Sequence, residues 1–263
     1  MSFVNNYKPP ELPTVLPESE LYGPTPYDLN FVFPVHPESL HTERVQLTPF
    51  IPAIHGKAYW EVAQDPYHFR YYPFICDTYE KSLSFFERSR RDPNYLMFAI
   101  IDKTKPVDPK YPEIEGGRLA GVIGYFNTVA GNLSTEIGHV FIFPEFQKTH
   151  VSSNAVGILL QYGFALPTAS PPGLGLRRIF WSAHTGNEPS ANLARRMGLK
   201  DEGVFRWHWV LPDELKGYGK PCDREGDPFP GRTGRDTRVL AIGWDDWQNG
   251  WSEKVQAIID RKA

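Results

Sequence analysis

The residues best placed to do chemistry lie between Glu136 and Leu166, in the stretch E-I-G-H-V-F-I-F-P-E-F-Q-K-T-H-V-S-S-N-A-V-G-I-L-L-Q-Y-G-F-A-L. Its middle is a polar run: Gln147, Lys148, Thr149, His150, Val151 and Ser152. A polar loop that opens a helix points several unpaired backbone N–H groups, and the positive end of the helix dipole, at one spot. That arrangement binds anions, most often phosphate. Glu136 heads the stretch, where a carboxylate can take a proton from an amine directly or through water. His139 follows three residues later, and strand alternation puts it on the opposite face from Glu136. His184 and His208 stand alone. None of the three histidines has an Asp, Glu or Cys partner at ligand spacing, so they make no zinc set. No G-x-S-x-G elbow marks a hydrolase.

Local patterns predict the elements that must hold these groups. Residues 136–143 are β-branched and aromatic and read as a strand, ended by Pro144. Residues 153–166 read as a helix, with Val156, Leu159, Leu160, Gly163 and Phe164 on one face. A strand over 177–184 follows, so strand, helix and strand form one right-handed βαβ unit. Asn187 caps the next helix, with Pro189 in its first turn and Gly198 as its stop. Upstream, a strand begins near Thr42 and helices are predicted over 51–63 and 78–90. Two strands over 95–102 and 119–128 are joined by a polar hairpin loop. Between the helices, residues 67–74 are aromatic and irregular. Residues 201–211 and 238–244 read as a closing antiparallel pair around a long Gly/Pro-rich loop, and 245–263 as a terminal helix.

These stretches resemble the GNAT superfamily of acyl-CoA N-acyltransferases. Strand, Pro144, Gln147, small-residue loop and helix resemble that family's Q/R-x-x-G-x-G/A motif. His150 stands where its first glycine falls, and Ser152 at its last small residue. Glu136-Ile137-Gly138-His139 is similar to the E-I-G-Y of the RimJ/RimL branch. In the family's order follow Arg178-Ile179-Phe180-Trp181, Asn187 with Ser190, Arg196-Met197-Gly198, and Glu202-Gly203-Val204-Phe205-Arg206. Gly231 to Thr237 resembles the G-R-x-R-D that comes next.

The resemblance implies a mixed α/β (α+β) fold, mostly antiparallel, with a central splayed parallel strand pair flanked by helices. It implies acetyl-CoA as co-substrate, direct transfer to an amine, and no metal. The open strand edge at Val140, Phe141 and Ile142 would pair with the pantetheine arm and supply an oxyanion donor. Gln147, Lys148, Thr149, His150, Val151 and Ser152 would hold the pyrophosphate, and Asn187 and Ser190 would face the pantetheine. Glu136 is the candidate base. Many family members carry a tyrosine acid seven residues after the Asn; here that position is Ala194, which leaves Ser190 or water to protonate the thiolate. Residues 67–74 would border the acceptor site. Arg206, Arg232, Arg235 and Asp236 read as a buried Arg–Asp pair joining the last two strands. Trp207, Trp209, Tyr71, Tyr72 and Phe74 are candidates for an apolar acceptor pocket. The acceptor is expected to be a small-molecule or amino-acid-like amine rather than a protein N-terminus. The alternative is a catalytically silent acyl-CoA-binding or interaction module.

Composition agrees with an ordinary globular chain: 263 residues, 41% hydrophobic, 22% charged, net charge −3. No basic cluster suggests nucleic acid, and no apolar run approaches the ~20 residues of a membrane span. Cys76 and Cys222 make no disulfide framework, which points to a reducing, cytoplasmic setting. Residues 1–40 carry eight prolines and read as an arm pinned by Tyr27, Phe31 and Phe33, ahead of a domain over 41–263. A monomer or homodimer is expected.

Overall fold

The computed structural model describes residues 1–9 and 13–261. Its centre is a seven-stranded sheet. In chain order the strands are β1 (Val45–Pro49), β2 (Leu96–Asp102), β3 (Arg118–Val129), β4 (Ser134–Ile142), β5 (Arg178–His184), β6 (Lys200–Val210) and β7 (Gly234–Gly243). They lie in the order β1-β2-β3-β4-β5-β7-β6. Every neighbour pair is antiparallel except β4 and β5. That parallel pair is short. Ser134, Thr135 and Glu136 pair with Arg178, Ile179 and Phe180, and beyond Glu136 the two strands part. The splayed mixed sheet expected from the sequence is therefore present.

Helices cover both faces. α1 (Pro52–Ala63) and α2 (Tyr79–Arg91) lie on one, and α3 (His150–Phe164) on the other. Tyr125, Ile137, Ile179 and Trp181 face α3, where the Tyr125 hydroxyl donates to the Leu159 carbonyl at 2.5 Å. Gly163 lets α3 come close, because a Cβ there would collide with Ile179 Cδ1. α3 is buried almost all round, which suits a central helix. α4 (Glu188–Arg196) starts as expected: Asn187 Oδ1 accepts from Ser190 N, and Gly198 at φ 100° ends the turn.

Two elements begin or end elsewhere than the local patterns suggest. α3 starts at His150, because Thr149 caps it by accepting from Val151 N. The loop before it is thus shorter than 147–152. The terminal helix is broken at Gly250 (φ 103°) and resumes over Ser252–Asp260. From Leu16 onward the proline-rich segment is pinned to the sheet and helices. Leu16 N donates to Ser84 Oγ at 2.9 Å, Phe31 stacks on Tyr125, and Pro34 O accepts from the Tyr162 hydroxyl at 2.7 Å.

A one-residue irregularity sits in the middle of β4. Gly138 pairs with Gly124, but Phe141 pairs with Val122, so β4 carries one extra residue there. His139 lies in this bulge at φ 48°. The bulge turns His139 onto the face of Phe126, the cross-strand partner of Glu136. The alternation argument, which set Glu136 and His139 on opposite faces, fails here for that reason.

Among the described residues no helix is long and apolar enough to cross a membrane.

Candidate active site

Glu136 is the last paired residue of β4 before the strands part. It stands at the crotch of the opening and is buried, with 8% of its surface exposed. Asn127, at φ 49° near the end of β3, donates its Nδ2 to Glu136 Oε2 at 2.7 Å. Burial pushes the Glu136 carboxyl above the usual carboxylate range. Hydrogen bonds from Asn127 and Ser182 and the charge of Arg235 oppose that push without cancelling it. A carboxylate tuned upward is a better proton acceptor near neutral pH than an exposed one.

Among the described residues the β5-facing edge of β4 has no strand partner beyond Glu136. Phe141 and Ile142 pair with β3 on the other side. The Val140 carbonyl accepts from the Tyr72 hydroxyl at 3.2 Å. Tyr72, Phe74 and Phe85 pack around His139, with ring centroids 5.2, 6.0 and 4.8 Å away. His139 is largely buried, Nε2 has no partner among the described residues, and burial pulls its pKa down to about 3. It is neutral at any physiological pH and is part of the wall.

Across the opening, α4 presents Asn187 and Ser190. Ser190 Oγ accepts from Trp181 Nε1 at 3.0 Å, so its own hydrogen remains available to a ligand. Ala194 has no exposure and offers no acid.

The anion loop lies just past the end of β4. Gln147, Lys148 and Thr149 are exposed; Gln147 Nε2 reaches back to the Ile142 carbonyl at 3.1 Å. The left-handed residue in the loop is Lys148, at φ 60°. The conformational demand that glycine usually meets therefore falls on Lys148 rather than His150. His150 is the first residue of α3, and its ring turns to the buried Asp102, with Nε2 to Oδ1 at 3.3 Å. Val151 has no exposed surface, so only its backbone belongs to the loop; Ser152 is half-buried in the first turn. Asn154 is also fully buried, donating to the His150 carbonyl and accepting from Thr42, and so has a structural role.

The family model of the GNAT acetyltransferase domain matches residues 44–200, more than half of the chain. The chain belongs to the GNAT acetyltransferase family. Solved GNAT structures share its fold. A GCN5-related N-acetyltransferase from Brucella melitensis is 22% identical, with a TM-score of 0.63 over 86% of this chain and 87% of that one. Mycobacterium smegmatis RimJ, solved with CoA-disulfide, is 17% identical, with a TM-score of 0.57 over 81% and 88%. Vibrio cholerae spermidine N-acetyltransferase, solved with CoA and spermine, is 14% identical, with a TM-score of 0.56 over 79% and 100%. No curated protein matches the chain in sequence.

On the face of α1 and α2 some of the residues expected at the acceptor side gather and others do not. Tyr72 and Phe74 line that side. Trp207 does not: it is 47% exposed and lies under the Lys220 ammonium, 4.0 Å from its ring centre, whereas Trp209, 44% exposed on the edge strand β6, pairs with Arg235 and shares its face. Among the described residues the expected Arg–Asp pair does not form. Asp236 pairs with Lys220 at 2.5 Å and accepts from Trp207 N, while Arg235 donates to Thr237. Successive residues of β7 face opposite sides, so Arg235 and Asp236 cannot share a partner. His184 is spent on structure: Nδ1 accepts from Gly186 N at 2.8 Å and Nε2 meets the Tyr218 carbonyl at 3.0 Å. Asn127 and Ser182, which hold Glu136, carry no local sequence signal. Only strand pairing brings them to it.

Proposed function

We propose that this acetyltransferase moves an acetyl group from acetyl-CoA to the primary amine of a small or amino-acid-like molecule, with Glu136 as the base. The observation that carries this reading is the position of Glu136. A buried carboxylate with a raised pKa stands where β4 and β5 part and the open edge of β4 begins. An alkyl amine has a pKa near ~10, so freeing it of its proton at pH 7 costs roughly 4 kcal/mol. A base at the crotch lowers that cost where the thioester must lie.

In this reading the pantetheine arm runs along Val140, Phe141 and Ile142. The pyrophosphate meets the loop and first turn formed by Gln147, Lys148, Thr149, His150, Val151 and Ser152. Asn187 and Ser190 contact the arm from the start of α4, and Ser190 or water protonates the thiolate. The division into an arm (1–40) and a catalytic domain (41–263) is part of the same proposal. Ala194, where many relatives carry a tyrosine acid, favours a second reading in which the chain binds acyl-CoA without transfer.

A thermal-shift titration with acetyl-CoA, followed by a thiol-release screen over an amine panel, separates the two. A ligand that binds only the folded state stabilises it by about 2.7 kcal/mol at ~100 times its dissociation constant. A saturable rise with thiol release is expected. A rise without release from any amine would support the silent module, and no rise at millimolar acetyl-CoA would remove both readings.

A further inference from the structure

The acceptor face holds a second buried charge that acetyl transfer alone does not require. Arg235 on β7 is only 6% exposed. Strand pairing places it on the face of Glu136: Glu136 pairs with Phe180, Phe180 with Ala241, and His184 with Thr237. Alternation then puts Phe180, Ser182, His184, Ala241, Thr237 and Arg235 on one side of the sheet. The guanidinium makes one side-chain hydrogen bond among the described residues, from Nη1 to Thr237 Oγ1 at 3.0 Å. Its Nε is buried without an acceptor. No carboxylate among the described residues forms an ion pair with it. Asp236 is on the other face, and Glu136 is near enough for each to shift the other's pKa without pairing. Burial draws the Arg235 pKa down to about 10, against the pull of Glu136 and Tyr72.

A buried guanidinium without a counter-ion is costly, and folded chains normally pair it. Nη1 is taken by Thr237, and Nε has no partner among the described residues. A guanidinium with N–H groups to spare suits the oxygens of a carboxylate. On the same face Glu136 is matched to an ammonium group. We propose that the acceptor is an aminocarboxylate, such as an α-amino acid, and that Arg235 binds its carboxylate while Glu136 receives the amine. This rests on the acetyl-transfer reading above. The amine nitrogen bonds to the thioester carbonyl carbon, the C–S bond breaks, the amine proton passes to Glu136, and the thiolate leaves as CoA, protonated from solvent. The carboxylate is unchanged throughout. One cation balances one carboxylate, whereas the double charge of a phosphate would be left half-compensated.

The test compares matched pairs, each an amino acid and its amide, together with a polyamine and an aminoalkyl phosphate, by initial thiol-release rates. The acid is expected to exceed its amide by about 10- to 100-fold in kcat/KM, mainly through KM, as for a charge-assisted hydrogen bond. Arg235→Met should bring that ratio close to one, and Arg235→Lys should leave an intermediate ratio. The acetyl-CoA thermal shift, measured in each variant, verifies folding and cofactor binding. Amides that match acids in the wild type would overturn the inference, and so would a preference for the polyamine or the phosphate. So would an Arg235→Met variant that lowers acid and amide alike. A saturable acetyl-CoA shift with no aminocarboxylate turnover also counts against it while leaving cofactor binding intact. Loss of the shift itself would instead bring down the underlying reading.

Discussion

Glu136→Gln should lower kcat by about 10²- to 10⁴-fold, the usual contribution of a positioned base, while leaving acetyl-CoA affinity nearly unchanged. Glutamine keeps the shape and can still accept from Asn127, which donates to Glu136 Oε2 in the wild type. Only the proton acceptor is lost. Because burial raises the Glu136 pKa, the acid limb of the kcat profile should lie above the ordinary carboxylate range and vanish in the variant. The same shift has a thermodynamic sign. A folded-state pKa above the unfolded value means that the native state binds the proton more tightly. The stability this gives is present at low pH and is lost as pH rises through the folded pKa. Once ionised, the buried Glu136 therefore weakens the fold, and Glu136→Gln should be at least as stable as the wild type above that pKa. Loss of turnover with retained or increased stability is the signature of a functional group held at a cost to the fold. Full activity with an unchanged acid limb would remove Glu136 from the mechanism.

The second large effect is acid lability. His55 is 4% exposed, and its Nδ1 accepts from Ile51 N at 3.0 Å. Burial lowers its pKa to about 4 and lowers that of His139 to about 3. Unfolded, both take a proton near pH ~6.5. Folded, they refuse it until pH 4 and 3. Their contribution is complete above pH ~6.5 and is lost as pH falls, at about 1.4 kcal/mol per unit for each. By pH 5 the two together should remove about 4 kcal/mol, a large share of a typical ~5–15 kcal/mol stability. Burial also lowers His184 and His208, which act in the same direction. Denaturant unfolding at pH 7.5, 6.5 and 5 measures this. His139→Asn, which tolerates the positive φ, should remove close to half of the pH dependence even though it leaves a cavity. A flat stability between pH 6.5 and 5 would show that these rings are not sealed.

The elements that depend on neighbours in sequence were legible before the fold was known. The strand ending at Pro144, the α3 apolar face and the Asn187 cap each follow from residues within a few positions of one another. α3 begins three residues before the apolar pattern suggests, because Thr149 caps it by accepting from Val151 N, a contact set by how the loop leaves β4. What depends on a partner strand was not legible. The β4 bulge exists only relative to β3, and it alone decides that His139 joins the face of Glu136. The isolation of Arg235 follows from β5 and β7 pairing across about fifty intervening residues. Trp207 and Trp209 have the alternation of core residues, yet β6 is the last strand of the sheet, and nothing in their own stretch says so.

That last strand shows how the molecule avoids a hazard. β6 ends the sheet with Val204, Phe205, Trp207, Trp209 and Val210 all in water. A long apolar edge of this kind is a template on which other chains add strands and aggregate. Here its pairing with β7 is interrupted twice, between Asp201 and Gly203 and between Phe205 and Trp209, with Trp207 turned to φ 55°. No more than three consecutive residues, Gly203 to Phe205, keep regular register. The aromatic rings remain exposed, but the row of N–H and C=O groups that would propagate a second sheet is broken, so the edge is apolar without being a seed.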